Sequence, residues 1–262
     1  MIYTHRMLLV LIMLLSACKP MYMVSSNETN VYKISHTEAD SASEIAKLLK
    51  PYRDSLSLIM NEVIGQSKGN FKKEKPGGSL GNFVADAMLS KAKTINPATQ
   101  NAICNYGGIR INEIQQGNIT RGKIFELLPF ENELVILEVN GKQLTQWIEV
   151  MAKSDGWPVA TYLPMNLPKL KQALAYTEKF TVFDPQTATS KDTIITFSPL
   201  ADNVIYTITT NDYIANGGDQ CDFLKTCKRI NTGLLIRDVM IEYIQTHSNC
   251  FPNPTQRVHI VK

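Results

Sequence analysis

At 262 residues, with 44% apolar and 19% charged side chains, the chain has enough apolar material to close a core, which excludes disorder as a global description. Lys and Arg number 27 against 24 Asp and Glu, a formal +3 that no segment concentrates into the basic stripe a phosphate backbone requires, so nucleic acid is not an expected partner. Four histidines (His5, His36, His247, His259) and five cysteines, with neither CxxC nor HExxH spacing, leave little from which to build a protein-bound metal centre, and none is expected in this chain.

Residues 1–17 read as a signal segment. His5 and Arg6 precede the apolar run Met7–Leu15, which is shorter than the ~20 residues needed to span a bilayer. The ending Leu15-Ser16-Ala17-Cys18 resembles the bacterial lipobox, which implies cleavage before Cys18 and acylation of its sulfur; the alternative is a plain secretory signal with an incidental cysteine. The chain is then expected to be extracytoplasmic and lipid-anchored, each buried acyl methylene contributing ~0.8 kcal/mol. Residues 18–30 read as a flexible tether and residues 31–262 as the domain. Cys104, Cys221, Cys227 and Cys250 would lie in a compartment that permits disulfides, with three pairings open; Cys221 and Cys227 are close enough to bridge a short loop, while Cys104 reads as a small buried hydrophobe.

From Ser41 the pattern becomes helical. Ser41 and Glu44 fit a capping box, and apolar residues recur at spacings of three and four from Ile45 to Val63, with a kink or break expected at Pro51. A polar segment from Gly65 to Gly78 precedes a second amphipathic helix carrying Leu80, Phe83, Val84, Ala87 and Met88. Strand-like runs follow at 102–104, 134–139, 180–183, 193–197 and 204–210, with helical intervals at 142–153 and 233–246 and an irregular, proline-containing segment at 156–175. Strands and helices mix without a regular βαβ alternation, which predicts an α+β fold with a mixed sheet. His36 reads as lying near a strand start, His247 at a helix C-terminus and His259 in a terminal strand, all as structural or surface residues.

Among motifs, Gly117, Gly122 and Lys123 open a GxxxxGK pattern, but Ile124 replaces the hydroxyl that would hold magnesium, and there is no GxSxG elbow. More informative are NYGGIR (105–110), LPFEN (128–132) and NDYIANGGD (211–219), which place two aromatic rings, an arginine, two amides and a carboxylate beside glycines. A nucleoside calls for that set. Its base can lie between Phe130 and Tyr213, Asp219 can accept from two ribose hydroxyls, Arg110 can fork onto phosphate or sugar oxygens, and Asn105 and Asn132 can read the base edge.

In this order the segments resemble landmarks of the C-terminal, substrate-binding domain of the 5'-nucleotidases: the helix start GNFVADAM (81–88), then the NGGGIR, PFGN and FxxxGGDG loops. The resemblance covers most of residues 31–262 and implies that domain's fold, with mixed sheets and helices in layers. It also implies base-sandwiching roles for Phe130 and Tyr213, ribose binding by Asp219, ribose and phosphate binding by Arg110, and polar base or sugar contacts from Asn105 and Asn132. Departures stand at Tyr106, Glu131 and Gln220, each where the family has glycine, and in the lack of an arginine just before Gly81, for which Lys75 is the candidate substitute, as a point charge. Family members hydrolyse phosphate esters with two metals held in a separate N-terminal metallophosphatase domain, whose Asp, His and Asn signatures do not occur here. The expectation is therefore a substrate-recognition half that carries no catalytic residues of its own and works with a metallophosphatase partner bearing the divalent metals. The alternatives are a stand-alone nucleoside- or nucleotide-binding lipoprotein and a degenerate member with a structural role.

Overall fold

A computed structural model describes residues 44–163, 166–171, 175–184, 187 and 189–261; the expected signal and tether, with Cys18, His36 and Ser41, lie outside them. The chain divides into two compact units, Met1–Lys50 and Pro51–Lys262, the division falling inside helix α1 (Glu44–Met60). This helix runs through Pro51 unbroken and buries none of its residues. Pro51 cannot donate to the carbonyl of Lys47, but on so exposed a helix water can satisfy that group.

The rest is an α+β fold of mixed sheets layered with helices. The main sheet has strand order β10-β6-β9-β3, comprising β10 (Lys228–Leu235), β6 (Glu133–Asn140), β9 (Ile205–Asn211) and β3 (Asn101–Ala102). β6 is antiparallel to both neighbours, and β3 runs parallel to β9. Alternate residues of β6 enter two cores, which explains why its sequence is apolar almost throughout. Leu134 and Ile136 pack with Phe83, Val84 and Met88 of α2 (Ser79–Ile95) and with Met240 and Ile244 of α7 (Ile236–His247). On the opposite face Val135, Leu137 and Val139 meet Leu144, Trp147 and Met151 of α4 (Gly141–Lys153). Each such fully buried side chain contributes ~1.5–3 kcal/mol. Helix α4 begins in a reciprocal capping box between Asn140 and Gln143.

Smaller elements complete the fold. β1 (Val63–Ser67) lies between β5 (Gly117–Thr120) and β11 (Asn249–Cys250), and β2 (Phe71–Lys72) pairs with β4 (Glu113–Ile114). β7 (Tyr176–Asp184) and β8 (Thr189–Phe197) form a hairpin around Phe180 and Phe197. Helices α3 (Arg121–Leu127), α5 (Leu167–Lys171) and α6 (Asp212–Ala215) are short.

Several expectations need correction. β1 and β2 fall within or beside the polar segment 65–78, and Val63, read as the end of the helical pattern, opens β1; both are short strands with few apolar residues. Residues 233–235 end β10 before the helix begins, since an edge strand with the burial of KRINTGLL has no marked apolar alternation. His259 is in no strand; its ring stacks on Phe180 at 4.4 Å. His247 does end its helix. All four described cysteines are buried free thiols, so Cys221 and Cys227 form no bridge.

The polar residues of the GNFVADAM segment bind the C-terminal strap. Asn82 is fully buried and donates to the carbonyls of Asn253 (3.0 Å) and Thr255 (2.8 Å). Asp86 takes a bidentate pair from Arg257 at 2.6 and 2.9 Å, and the same guanidinium donates to Val159 O. Burial pushes the Asp86 carboxyl above its ordinary 3.8, with Arg257 opposing the shift. A raised folded-state value means that Asp86 itself favours the fold most below pH 3.8 and loses that contribution as pH rises through the folded value. Arg257→Met should therefore cost about 2 kcal/mol at neutral pH, under the roughly 3–5 kcal/mol of a fully buried pair because Asp86 is partly exposed, and the deficit should shrink in acid as the carboxyl takes up a proton. Urea melts of both forms at about pH 7 and about pH 4.5 measure this.

Candidate functional site

Three segments reach one edge of the main sheet, and strand register puts them there. Leu134 pairs with Asn211, so the start of β6 lies beside the end of β9; Ala102 pairs with Thr209 in parallel, so β3 ends at the same edge. The chain leaving β3 makes a 3₁₀ turn at Tyr106–Gly108, the chain entering β6 is the 128–132 loop, and the chain leaving β9 is α6 followed by the Gly217–Asp219 turn. Hydrogen bonds hold them: Arg110 N to Leu127 O (2.9 Å), Glu133 N to Asp212 Oδ1 (3.0 Å), and Ile236 N at the start of α7 to Asn132 O (2.9 Å).

Of the six residues singled out from the sequence, five line one cavity of about 270 Å³: Asn105, Phe130, Asn132, Tyr213 and Asp219, with Gly107 and Gly108. Phe130 and Tyr213 are 47% and 48% exposed, so neither ring is taken up by the interior. Arg110 does not line the cavity; its guanidinium lies over the Phe130 ring, 5.6 Å from the centroid. Exposed aromatic rings flanking a polar floor suit a flat ligand carrying hydroxyls.

The floor is a hydrogen-bond relay. Asn211, 2% exposed, caps α6 by accepting from Ile214 N and donates through Nδ2 to Asn105 Oδ1 at 3.1 Å. Asn105 then donates to Asp219 Oδ2 at 2.6 Å, and the Tyr213 hydroxyl donates to Asp219 Oδ1 at 3.0 Å. Each Asp219 oxygen thus receives one donor and keeps a lone pair directed elsewhere. The Tyr213 hydroxyl is held well protonated, its pKa raised first by the hydrogen bond to Asp219 and then by the charge of that carboxylate. Two glycines permit this geometry. Gly217 has φ +92°, and a Cβ on Gly218 would lie 2.4–2.6 Å from the Tyr213 ring. Asp219 itself sits in the left-handed region at φ 51°, a strained setting for a residue other than glycine.

Asn211 and Tyr106 belong to the site architecture although sequence reading assigned neither a role. Tyr106 replaces a small residue by filling space: it is buried, accepts from Gly77 N at 2.8 Å and donates to Glu74 O, which fastens the 105–110 turn to the segment before α2. Among the described residues no group of three or more His, Cys, Asp or Glu side chains is placed to hold a metal ion. Among the same residues no helix is long and apolar enough to cross a membrane.

Comparison with known proteins gives a match of residues 63–226 to the sequence model of the 5'-nucleotidase C-terminal domain. The 5'-nucleotidase of Diplobatis ommata is 28% identical over 225 residues, covering 80% of this chain and 39% of that protein. The trifunctional nucleotide phosphoesterase protein YfkN of Bacillus subtilis is 34% identical over 119 residues, 44% of this chain and 8% of its own length. The crystal structure of a 5'-nucleotidase precursor from Thermus thermophilus superposes with a TM-score of 0.61 at 26% identity, covering 83% of this chain and 43% of that one. This chain thus spans less than half the length of each of these proteins.

The relay makes one direct prediction. Asp219→Asn removes the charge that opposes phenolate formation, so the Tyr213 hydroxyl should titrate at lower pH than in the parent chain. Tyrosine-ring carbon NMR through the alkaline range measures the change, and its sign should be downward.

Proposed function

The chain belongs to the family of 5'-nucleotidase C-terminal domains, and on that premise we propose that it is the nucleotide-recognition half of a nucleotide phosphohydrolase. In this reading the base lies between Phe130 and Tyr213 while two ribose hydroxyls donate to the oxygens of Asp219. Arg110, beside Phe130 at the cavity's margin, serves sugar or phosphate oxygens that project outward, and Asn105 and Asn132 serve polar edges of base or sugar. The phosphate is presented to a metallophosphatase carried on another polypeptide, where divalent metals supply the hydroxide and the charge neutralisation of phosphoryl transfer. Acylation at Cys18 would hold the assembly at a membrane outside the cytoplasm.

The observation that carries the reading is that two half-exposed rings and a carboxylate line one cavity. The cavity volume, about 270 Å³, is just below the ~300–1,000 Å³ of sites for drug-sized ligands, a scale that suits a nucleoside with its phosphate projecting outward. Asp219 is pre-positioned by two neutral donors, so ribose meets an acceptor whose orientation is already fixed.

Calorimetric titration with adenosine and AMP tests the binding half. Phe130→Ala and Tyr213→Ala should each weaken binding by ~1–3 kcal/mol, and unchanged affinity in both would refute the sandwich. Mixing the chain with a metallophosphatase partner tests the second half: AMP hydrolysis should exceed that of the partner alone. Nucleoside binding without any gain in turnover would instead favour a stand-alone binding lipoprotein. For the anchor, Cys18→Ala should move the chain from the detergent phase to the aqueous phase in a phase-partition assay.

A further inference from the structure

Helix α1 leaves an apolar stripe in solvent along its whole length. Among the described residues, exposed large apolar side chains concentrate between Ile45 and Val63, and Ile45, Leu48, Leu49, Tyr52, Leu56 and Ile59 are each 47–69% exposed. Apolar side chains scattered singly over a surface need no explanation, but a continuous stripe marks a surface that meets a partner. The helix supplies none of the residues that line the nucleotide cavity, so the stripe has some other use.

Spacing decides the kind of partner. Ile45, Leu49, Tyr52, Leu56 and Ile59 follow one another at intervals of four, three, four and three. That alternation averages 3.5 residues, the repeat with which one helix seats its side chains between those of another. Leu48 and Met60 flank the seam, and Pro51 falls at an outward-facing position of the heptad, where its missing N–H interrupts no contact along the seam. The polar positions mix Glu44 and Asp54 with Lys47, Lys50 and Arg53, too even a balance to draw the helix onto an anionic lipid surface.

A second copy of the seam is its complement. In an antiparallel pairing that sets Tyr52 against Leu56 of the second copy, Leu49 meets Ile59, Leu48 flanks Met60 and Arg53 lies opposite Ser55. Apolar residues then face apolar residues, no like charges meet across the seam, and the helix dipoles oppose each other favourably. The area suffices: the six exposed side chains present roughly 600–700 Å² per copy, about 1,300 Å² over two copies, within the ~1,200–2,000 Å² of stable interfaces. We propose that α1 is a dimerisation helix, through which two copies of this chain associate along an antiparallel coiled-coil seam.

Sedimentation equilibrium of the full chain carrying Cys18→Ser, so that no acyl chain drives association, tests this. At tens of micromolar the chain should show twice the protomer mass, and adding Leu49→Glu with Leu56→Glu should return it to the protomer mass. Since α1 buries none of its residues, the thermal midpoint of that variant at matched low concentration should equal the parent's. Leu49→Ala with Leu56→Ala, which keeps helix propensity, should raise the dissociation constant roughly tenfold or more. A monomeric parent overturns the proposal, and so does a dimer of unchanged affinity in both variants. A monomeric parent that pellets with phosphatidylglycerol vesicles, and ceases to do so with the two glutamates, assigns the stripe to a lipid surface and overturns it equally.

Discussion

The hydrogen-bond relay from Asn211 through Asn105 to Asp219 joins strand ends that are far apart in sequence, and the site depends on it. Both amides are nearly fully buried, at 2% and 5% exposure, so each must find partners or leave a polar group stranded at a cost of ~1–3 kcal/mol. Asn211 resolves this by capping α6 with its oxygen and serving Asn105 with its nitrogen, which in turn fixes which end of Asn105 faces Asp219. The carboxylate is thereby aimed by the sheet itself, through two side chains anchored where β3 and β9 end.

Around that relay, aromatic surface is left exposed without any compensating burial in the core. Phe130 lies under the Arg110 guanidinium and Tyr213 is tethered through its hydroxyl to Asp219, so both rings are oriented before any ligand arrives. Pre-orientation of this kind lowers the entropic cost of binding, and it depends on Gly218, where a side chain would collide with the Tyr213 ring. The strained left-handed conformation of Asp219 belongs to the same arrangement, since it turns the carboxylate back toward the cavity.

The fold is largely legible in the sequence where periodicity and burial coincide. β6, together with α2 and α4, carries a long apolar pattern that the two cores use directly. β1, β2 and β10 are not, because short or edge strands bury too little to impose alternation on their sequence. Within the site, Tyr213 and Asp219 stand out in a glycine-containing motif and Phe130 in LPFEN, whereas Asn211 and Tyr106 act through contacts whose partners are distant in sequence or specific to the folded turn. Asn82 and Asp86 show the converse. Their motif reads as part of a binding domain, yet their side chains are engaged by the strap that carries Arg257.

The central claim is that a base enters between two rings while Asp219 grips the sugar. Intermolecular nuclear Overhauser effects between adenosine and the isotope-labelled chain test it most directly. The account predicts contacts from the two adenine ring C–H protons to the rings of both Phe130 and Tyr213; contacts to neither ring, with adenosine demonstrably bound, would contradict it.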